Sequence, residues 1–139
     1  MNLIVVGAGG IARELIRRLG ESWAVTVVDP TPDLLEQFDP GRPVERVPGD
    51  GSSRVVLERA GLARADAVVA ATYDDDVNLE ICRLARDAGV DRVTSIAAEP
   101  ENARTYHDRG IPVASPDALA ARRLELSLET RRVDSTAFA

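Results

Sequence analysis

Residues 2–13 read Asn2-Leu-Ile-Val-Val-Gly7-Ala8-Gly9-Gly10-Ile11-Ala12-Arg13. An apolar run breaks into a glycine-rich turn, and a helical pattern follows. A second apolar run, Ala24-Val-Thr-Val-Val28, stops on an acid, Asp29. The order is strand, Gly-x-Gly-x-x-Ala turn, helix, strand, acid. In that context the glycine pattern is a dinucleotide-binding fingerprint. Gly7 permits the tight turn out of the strand, and Gly9 lets the backbone approach a pyrophosphate. Ala12 stands where a third small residue lets helix and strand pack closely. Ala8 lies inside the turn, and the amides of Gly9, Gly10 and Ile11 open a helix, where N–H groups and dipole favour an anion. Arg13 adds positive charge nearby. Asp29, with Pro30 behind it, offers a carboxylate to both ribose hydroxyls and repels a 2′-phosphate. The alternative role for Asp29 is a cap on the next helix.

Apolar runs and helical patterns alternate through the rest of the chain. Strands are expected at Leu3–Val6, Val25–Val28, Val44–Val47, Ala67–Ala71, Arg92–Ile96 and Ile111–Ala114. Helices are expected at Gly10–Leu19, Thr31–Phe38, Ser53–Ala60, Asp75–Ala88, Glu99–Arg109 and Pro116–Glu129. Thr31 and Ser115 are the expected N-caps of their helices, and Gly61 a C-terminal stop. Strict alternation implies an α/β fold, a doubly wound parallel six-stranded sheet ordered 3-2-1-4-5-6. Residues 1–130 form one domain, and 131–139 lack periodicity and read as a tail.

Two more segments border the crevice such a sheet creates. Gly49-Asp50-Gly51-Ser52 follows the third strand, where a carboxylate and a hydroxyl can meet an adenine edge or simply form a turn. Ala71 ends the fourth strand, and Thr72-Tyr73 follows it, at the topological switch point. The acids Asp74, Asp75 and Asp76 suit a helix start better than a cation site. Asn78 lies in that helix's first turn, placed to tie loops together.

Composition narrows the function classes. The chain has 139 residues and a net charge of −6, against nonspecific nucleic-acid binding. All 17 basic residues are arginine, so neither a Walker lysine nor a Schiff-base lysine exists. His107 is the single histidine, and it and Tyr106 fall on a helix far from the crevice. Cys82 is a lone cysteine in an apolar stripe, expected in the core. No apolar run reaches the roughly 20 residues of a spanning helix, and the cytoplasm is the expected compartment.

The order of motifs resembles the N-terminal lobe of the regulator-of-potassium-conductance family, also called TrkA-N. The carrying pieces are Leu3–Ala12, Val28-Asp29, Pro48–Ser52, Ala65–Thr72 running into Asp75–Asn78, and Gly110–Pro116. The resemblance implies a cytosolic regulatory domain, peripheral to the membrane through its partner. That partner would be a potassium channel, a potassium uptake system or a cation/proton antiporter. It implies NAD(H) as ligand, with ATP, ADP or AMP as alternatives, and no catalytic residues. It also implies a homodimer or ring formed through the helices around residues 99–129. Gly7, Gly9 and Ala12 would then contact phosphate, Asp29 the ribose, Asp50 and Ser52 the adenine end, and Thr72 the distal part. Two departures stand out. Thr94-Ser95-Ile96-Ala97 lacks the arginine many members carry there, and no second lobe follows, which suits a one-lobe regulator or an excised domain. A small NAD-dependent oxidoreductase and a non-binding oligomerisation scaffold are the competing readings. The first lacks a placed acid or base, and the second predicts no nucleotide effect. Leu119, Leu124, Leu126 and Leu128 give the last helix more apolar surface than its own sheet needs, which points to a second copy.

Overall fold

The computed structural model describes residues 1–130. The first half comprises β1 (Asn2–Val6), α1 (Gly10–Arg18), β2 (Ala24–Asp29), α2 (Pro32–Gln37), β3 (Glu45–Pro48) and α3 (Arg54–Arg59). A 3-10 turn at Leu62–Arg64 leads into β4 (Ala67–Ala70), α4 (Asp75–Asp87) and β5 (Arg92–Ile96). A second 3-10 turn, Pro100–Asn102, precedes α5 (Ala103–Asp108), β6 (Val113–Ala114) and α6 (Pro116–Glu129). The strands form one sheet in the order β3-β2-β1-β4-β5-β6, as the alternation predicted. Every pairing is parallel.

Side-chain alternation splits β1 between two cores. Ile4 and Val6 pack with Leu57 of α3, Ile81 and Cys82 of α4, and Tyr106 of α5. Leu3 and Val5 pack with Ala12 and Ile16 of α1 and Leu35 of α2. A strand buried on both faces reads as a continuous apolar run, which is why β1 was legible.

Several boundaries differ from the sequence reading. Neither Thr31 nor Ser115 makes a side-chain cap bond. Asp29 accepts the amide of Thr31 itself, one residue before α2, and the Ser115 hydroxyl is buried without a partner. Glu99–Arg109 is not one helix: Pro100 opens a 3-10 turn before α5 begins. Strand β6 starts at Val113 rather than Ile111 because Pro112 has no amide proton to donate to the ladder. Ala71 lies just past β4 and Val44 just before β3. The expected tail, 131–139, lies outside the described residues.

The end of the sheet where the loops converge is held by two devices. At Gly51, an added Cβ would lie 2.3 Å from Cγ1 of Val6, so the β3–α3 loop seats directly on β1. Asp75, at the start of α4, does the same across the switch point. Its Oδ1 accepts from the Ala98 amide at 2.8 Å and the Tyr106 hydroxyl at 2.6 Å. Its Oδ2 accepts from the Glu99 amide at 3.0 Å and the Asn102 side chain at 2.8 Å. Burial opposes this charge most. The bonds from Tyr106, Asn102, Glu99 and Ala98 together outweigh it and hold the carboxyl below its ordinary range.

Three outcomes follow from these devices. Gly51→Ala should destabilise the fold by about 1–3 kcal/mol through overpacking, and adding Val6→Ala should recover part of the loss in urea melts. Because the folded-state pKa of Asp75 is depressed, its contribution is complete above the unfolded carboxylate value of about 3.9. It is lost as pH falls through the lower folded value. Asp75→Asn should therefore show a shallower loss of stability than the unaltered chain in urea melts taken below about pH 4. An equal slope would mean other carboxylates dominate. Tyr106→Phe, which leaves a buried acceptor short of one donor, should cost about 1–3 kcal/mol at neutral pH.

Candidate nucleotide site

The loops after β1, β2, β3 and β4 meet at the carboxyl ends of the strands, the usual ligand crevice of an open parallel sheet. Gly7 has φ +111°, and an added Cβ would sit 2.5 Å from the Ala71 carbonyl oxygen. No other residue type fits this turn without moving the β4–α4 loop. The Gly7 amide donates to the Val28 carbonyl at 2.8 Å. The Ala8 amide donates to Asp29 Oδ2 at 2.9 Å, and the Thr31 amide donates to Asp29 Oδ1 at 2.9 Å. Asp29 is buried and fastens the glycine turn to the start of α2. Each of its oxygens keeps a further lone pair, so the same carboxylate can also receive a hydroxyl.

A cleft of about 380 Å³ opens between these loops. Of the residues singled out from sequence, Gly7, Ala8, Gly9, Asp29, Pro30, Asp50, Gly51, Ala71, Thr72 and Tyr73 line it. Gly10, Ile11, Ala12, Gly49, Ser52 and Asn78 do not. Ala12 is fully buried between α1 and the sheet. Gly49, at φ +149°, backs onto Val56. Ser52 donates its hydroxyl and its amide to Asp50 Oδ1, at 2.7 and 2.8 Å. Those bonds, the hydroxyl's first, lower the Asp50 carboxyl below its usual range.

Asn78 is fully buried, with each polar atom doubly engaged. Its Oδ1 accepts from the Thr72 hydroxyl at 2.6 Å and the Thr72 amide at 3.1 Å. Its Nδ2 donates to the carbonyls of Thr72 at 3.0 Å and Ile96 at 3.4 Å. Asn78 thus holds Thr72 in place from behind the wall, a loop tie of the kind its position in the first turn suggested.

Sequence reasoning passed over Val6, Thr31, Leu34, Asp74 and Val77, which also line the cleft. Leu34 lies on α2 one turn after Asp29, and Val77 lies one residue before Asn78. Both positions face the loops because helices α2 and α4 start there, and the structure leaves Leu34 44% exposed.

The two helix starts at the cleft differ electrically. Asp74 caps α4, accepting from the amides of Asp76 and Val77 at 3.0 and 3.3 Å. Asp75 turns into the protein and Asp76 is exposed, so the three acids do not converge. Helix α1 has Gly9 at its N-cap, no side-chain cap and no acid in its first turn. Its first amides therefore remain as donors for an anion. Arg13 is exposed and does not line the cleft. The walls combine the backbone of Gly9 at that helix start, the carboxylates of Asp29, Asp50 and Asp74, and the apolar sides of Leu34, Pro30 and Val77. That set matches a phosphate, a diol or amine, and a flat base.

The residues with reactive side chains lie elsewhere. Cys82 is buried, and burial first of all pushes its thiol up to about 11. His107 is exposed on α5, away from the cleft. Among the described residues no group of three or more His, Cys, Asp or Glu is placed to hold a metal ion. No helix among them is long and apolar enough to cross a membrane.

Comparison with known proteins places this geometry. The TrkA-N domain family matches residues 3–116. The Trk system potassium uptake protein TrkA of Mycobacterium tuberculosis is 32% identical over 126 residues, which are 87% of this chain and 57% of that protein. The chain thus spans about half the length of this relative. Among solved structures, the Shewanella denitrificans Kef CTD in AMP bound form superposes with a TM-score of 0.80 at 22% identity, over 94% of this chain and 84% of that one. The GsuK channel bound to NAD gives 0.69 at 22% identity, over 81% of this chain and 21% of that one. These likenesses fix the fold, and the family match and the identity with TrkA fix the kinship: the chain belongs to the TrkA-N domain family.

Proposed function

We propose that this chain is a nucleotide-sensing regulatory domain. It binds an adenine nucleotide, NAD(H) first and ATP, ADP or AMP as alternatives, and controls a membrane partner that moves potassium or another cation. One observation carries the reading: the uncapped start of α1 faces the same cleft as the Asp29 carboxylate. Free amides there would hold phosphate while Asp29 takes the ribose. Gly10 and Ile11 would contribute through the amides of that helix start, Ala12 and Gly49 through close packing, Ser52 by aiming Asp50, and Asn78 by aiming Thr72. The NAD-bound GsuK and AMP-bound Kef structures support this ligand class, and kinship with TrkA supports the potassium partner. The reading includes residues 1–130 as one domain on the cytosolic side, acting by binding rather than catalysis. A nucleotide that favours one assembly over another would bias the partner by that difference in affinity.

Self-association belongs to the same proposal. No residue of α6 is buried, and Leu119, Leu124 and Leu128 are 62%, 66% and 86% exposed. The neighbouring sheet face at Val69 and Thr94, a paired position, is only half covered. A second copy seated through residues 99–129 would bury both.

The ligand test is thermal unfolding with NAD, NADH, NADP, ATP, ADP and AMP. A ligand held at 100 times its Kd should add about 2.7 kcal/mol. NADP should stabilise clearly less than NAD because its 2′-phosphate meets Asp29. No shift with any nucleotide would leave a scaffold as the better reading. For assembly, sedimentation should show a dimer or larger species that Leu124→Asp with Leu128→Asp dissociates; a monomer for the unaltered chain at tens of micromolar would refute it.

A further inference from the structure

The one large aromatic side chain on the cleft wall is Tyr73, and it stands where a ligand has to pass. A Cβ at Gly9 would lie 3.6 Å from Tyr73 Cε2 and 3.7 Å from its hydroxyl, so the ring stands over that glycine with room for little more than one carbon between them. The second glycine of the fingerprint exists so that a pyrophosphate can reach the backbone. Ring and pyrophosphate therefore compete for one surface.

Little holds the ring there. Tyr73 is 73% exposed, and its hydroxyl has no hydrogen-bond partner among the described residues. The backbone around it is fixed. Thr72 is held by Asn78, and Asp74 caps α4. Displacement is thus a side-chain rotation, with no loop movement needed. Beyond the ring lies a second hollow of about 210 Å³, which Tyr73 shares with Ile96, Ala98, Glu99, Pro116 and Asp117. The ring is the partition between this hollow and the main cleft.

We propose that Tyr73 sets the class of nucleotide this site retains. Its ring must leave Gly9 for any pyrophosphate, and only a dinucleotide brings a second base for the ring to stack on. ADP displaces the ring and leaves its face in water. NAD contains the same ADP half, displaces the ring in the same way, and carries a nicotinamide across the partition. Stacking of a base on an aromatic face adds affinity that the ADP half alone does not gain. The inference rests on the nucleotide reading above and adds the residue that separates mononucleotides from dinucleotides.

Isothermal titration of ADP and NAD into the unaltered chain, Tyr73→Ala, Tyr73→Leu and Tyr73→Phe tests it. In Tyr73→Ala, NAD should weaken about tenfold, about 1.4 kcal/mol, while ADP stays within about twofold or tightens. Tyr73→Leu keeps bulk over Gly9 without an aromatic face and should also weaken NAD. Tyr73→Phe should match the unaltered chain, since the hydroxyl has no partner to lose. Ligand-free melting temperatures of all four should agree, as expected for a side chain so exposed. Parallel changes in ADP and NAD, or a Phe variant that behaves like Ala, would overturn the role of Tyr73 while leaving nucleotide binding intact. Failure of the unaltered chain to bind either ligand would instead overturn the nucleotide reading and this inference with it.

Discussion

The close contact between Gly7 and the Ala71 carbonyl governs this end of the molecule. β1 is the central strand, flanked by β2 and β4, and the chain must leave it without striking the loop that leaves β4. Only a residue without a Cβ, in a left-handed conformation, does so. Once that turn is set, α1 is aimed with its bare N-terminus along the cleft. Asp29 can then reach back to the Ala8 amide. On the other side of the switch point Asn78 and Asp75 do comparable work. One fixes Thr72, and the other gathers the β5–α5 loop and Tyr106. The cleft is therefore walled by loops that are each bonded to a neighbour across the sheet end.

Much of the fold was legible because its rules are local. A strand covered on both faces is apolar throughout, a helix between such strands is amphipathic, and glycines punctuate the turns. β1, β4 and α4 carry these signals clearly. β6 was overextended because Ile111 and Pro112 continue the apolar run while proline offers the ladder only its carbonyl. The 3-10 turn at Pro100–Asn102 was merged with α5 for a similar reason: side-chain pattern alone does not separate the two helix types. The expected caps at Thr31 and Ser115 had suitable side chains, yet neither side chain turns back to the first amides of its helix.

The cleft shows the same division. Gly7, Gly9, Asp29 and Thr72 follow from motif spacing, and the fold places them on one wall. Ala12, Gly49, Ser52 and Asn78 belong to the same motifs but serve from behind, by packing or by holding a residue that does line the wall. Sequence spacing marks that a position matters to the motif without saying which side of the wall its side chain takes. Leu34 and Val77 have no motif at all. They reach the cleft because helices α2 and α4 begin at its rim, a fact of three-dimensional placement. Tyr106 appeared as a packing residue on a remote helix, and it does pack. Its hydroxyl nonetheless ties α5 to the first residue of α4, a long-range bond that no local pattern encodes.

Cys82 sits in α4 under the sheet, and burial raises its thiol to about 11. At neutral pH the thiol therefore stays protonated, and it is shut away from reagents. The folded chain is therefore chemically silent toward alkylating and oxidising agents at its single sulfhydryl. Labelling of Cys82 by an added alkylating reagent becomes a built-in clock for the opening of α4.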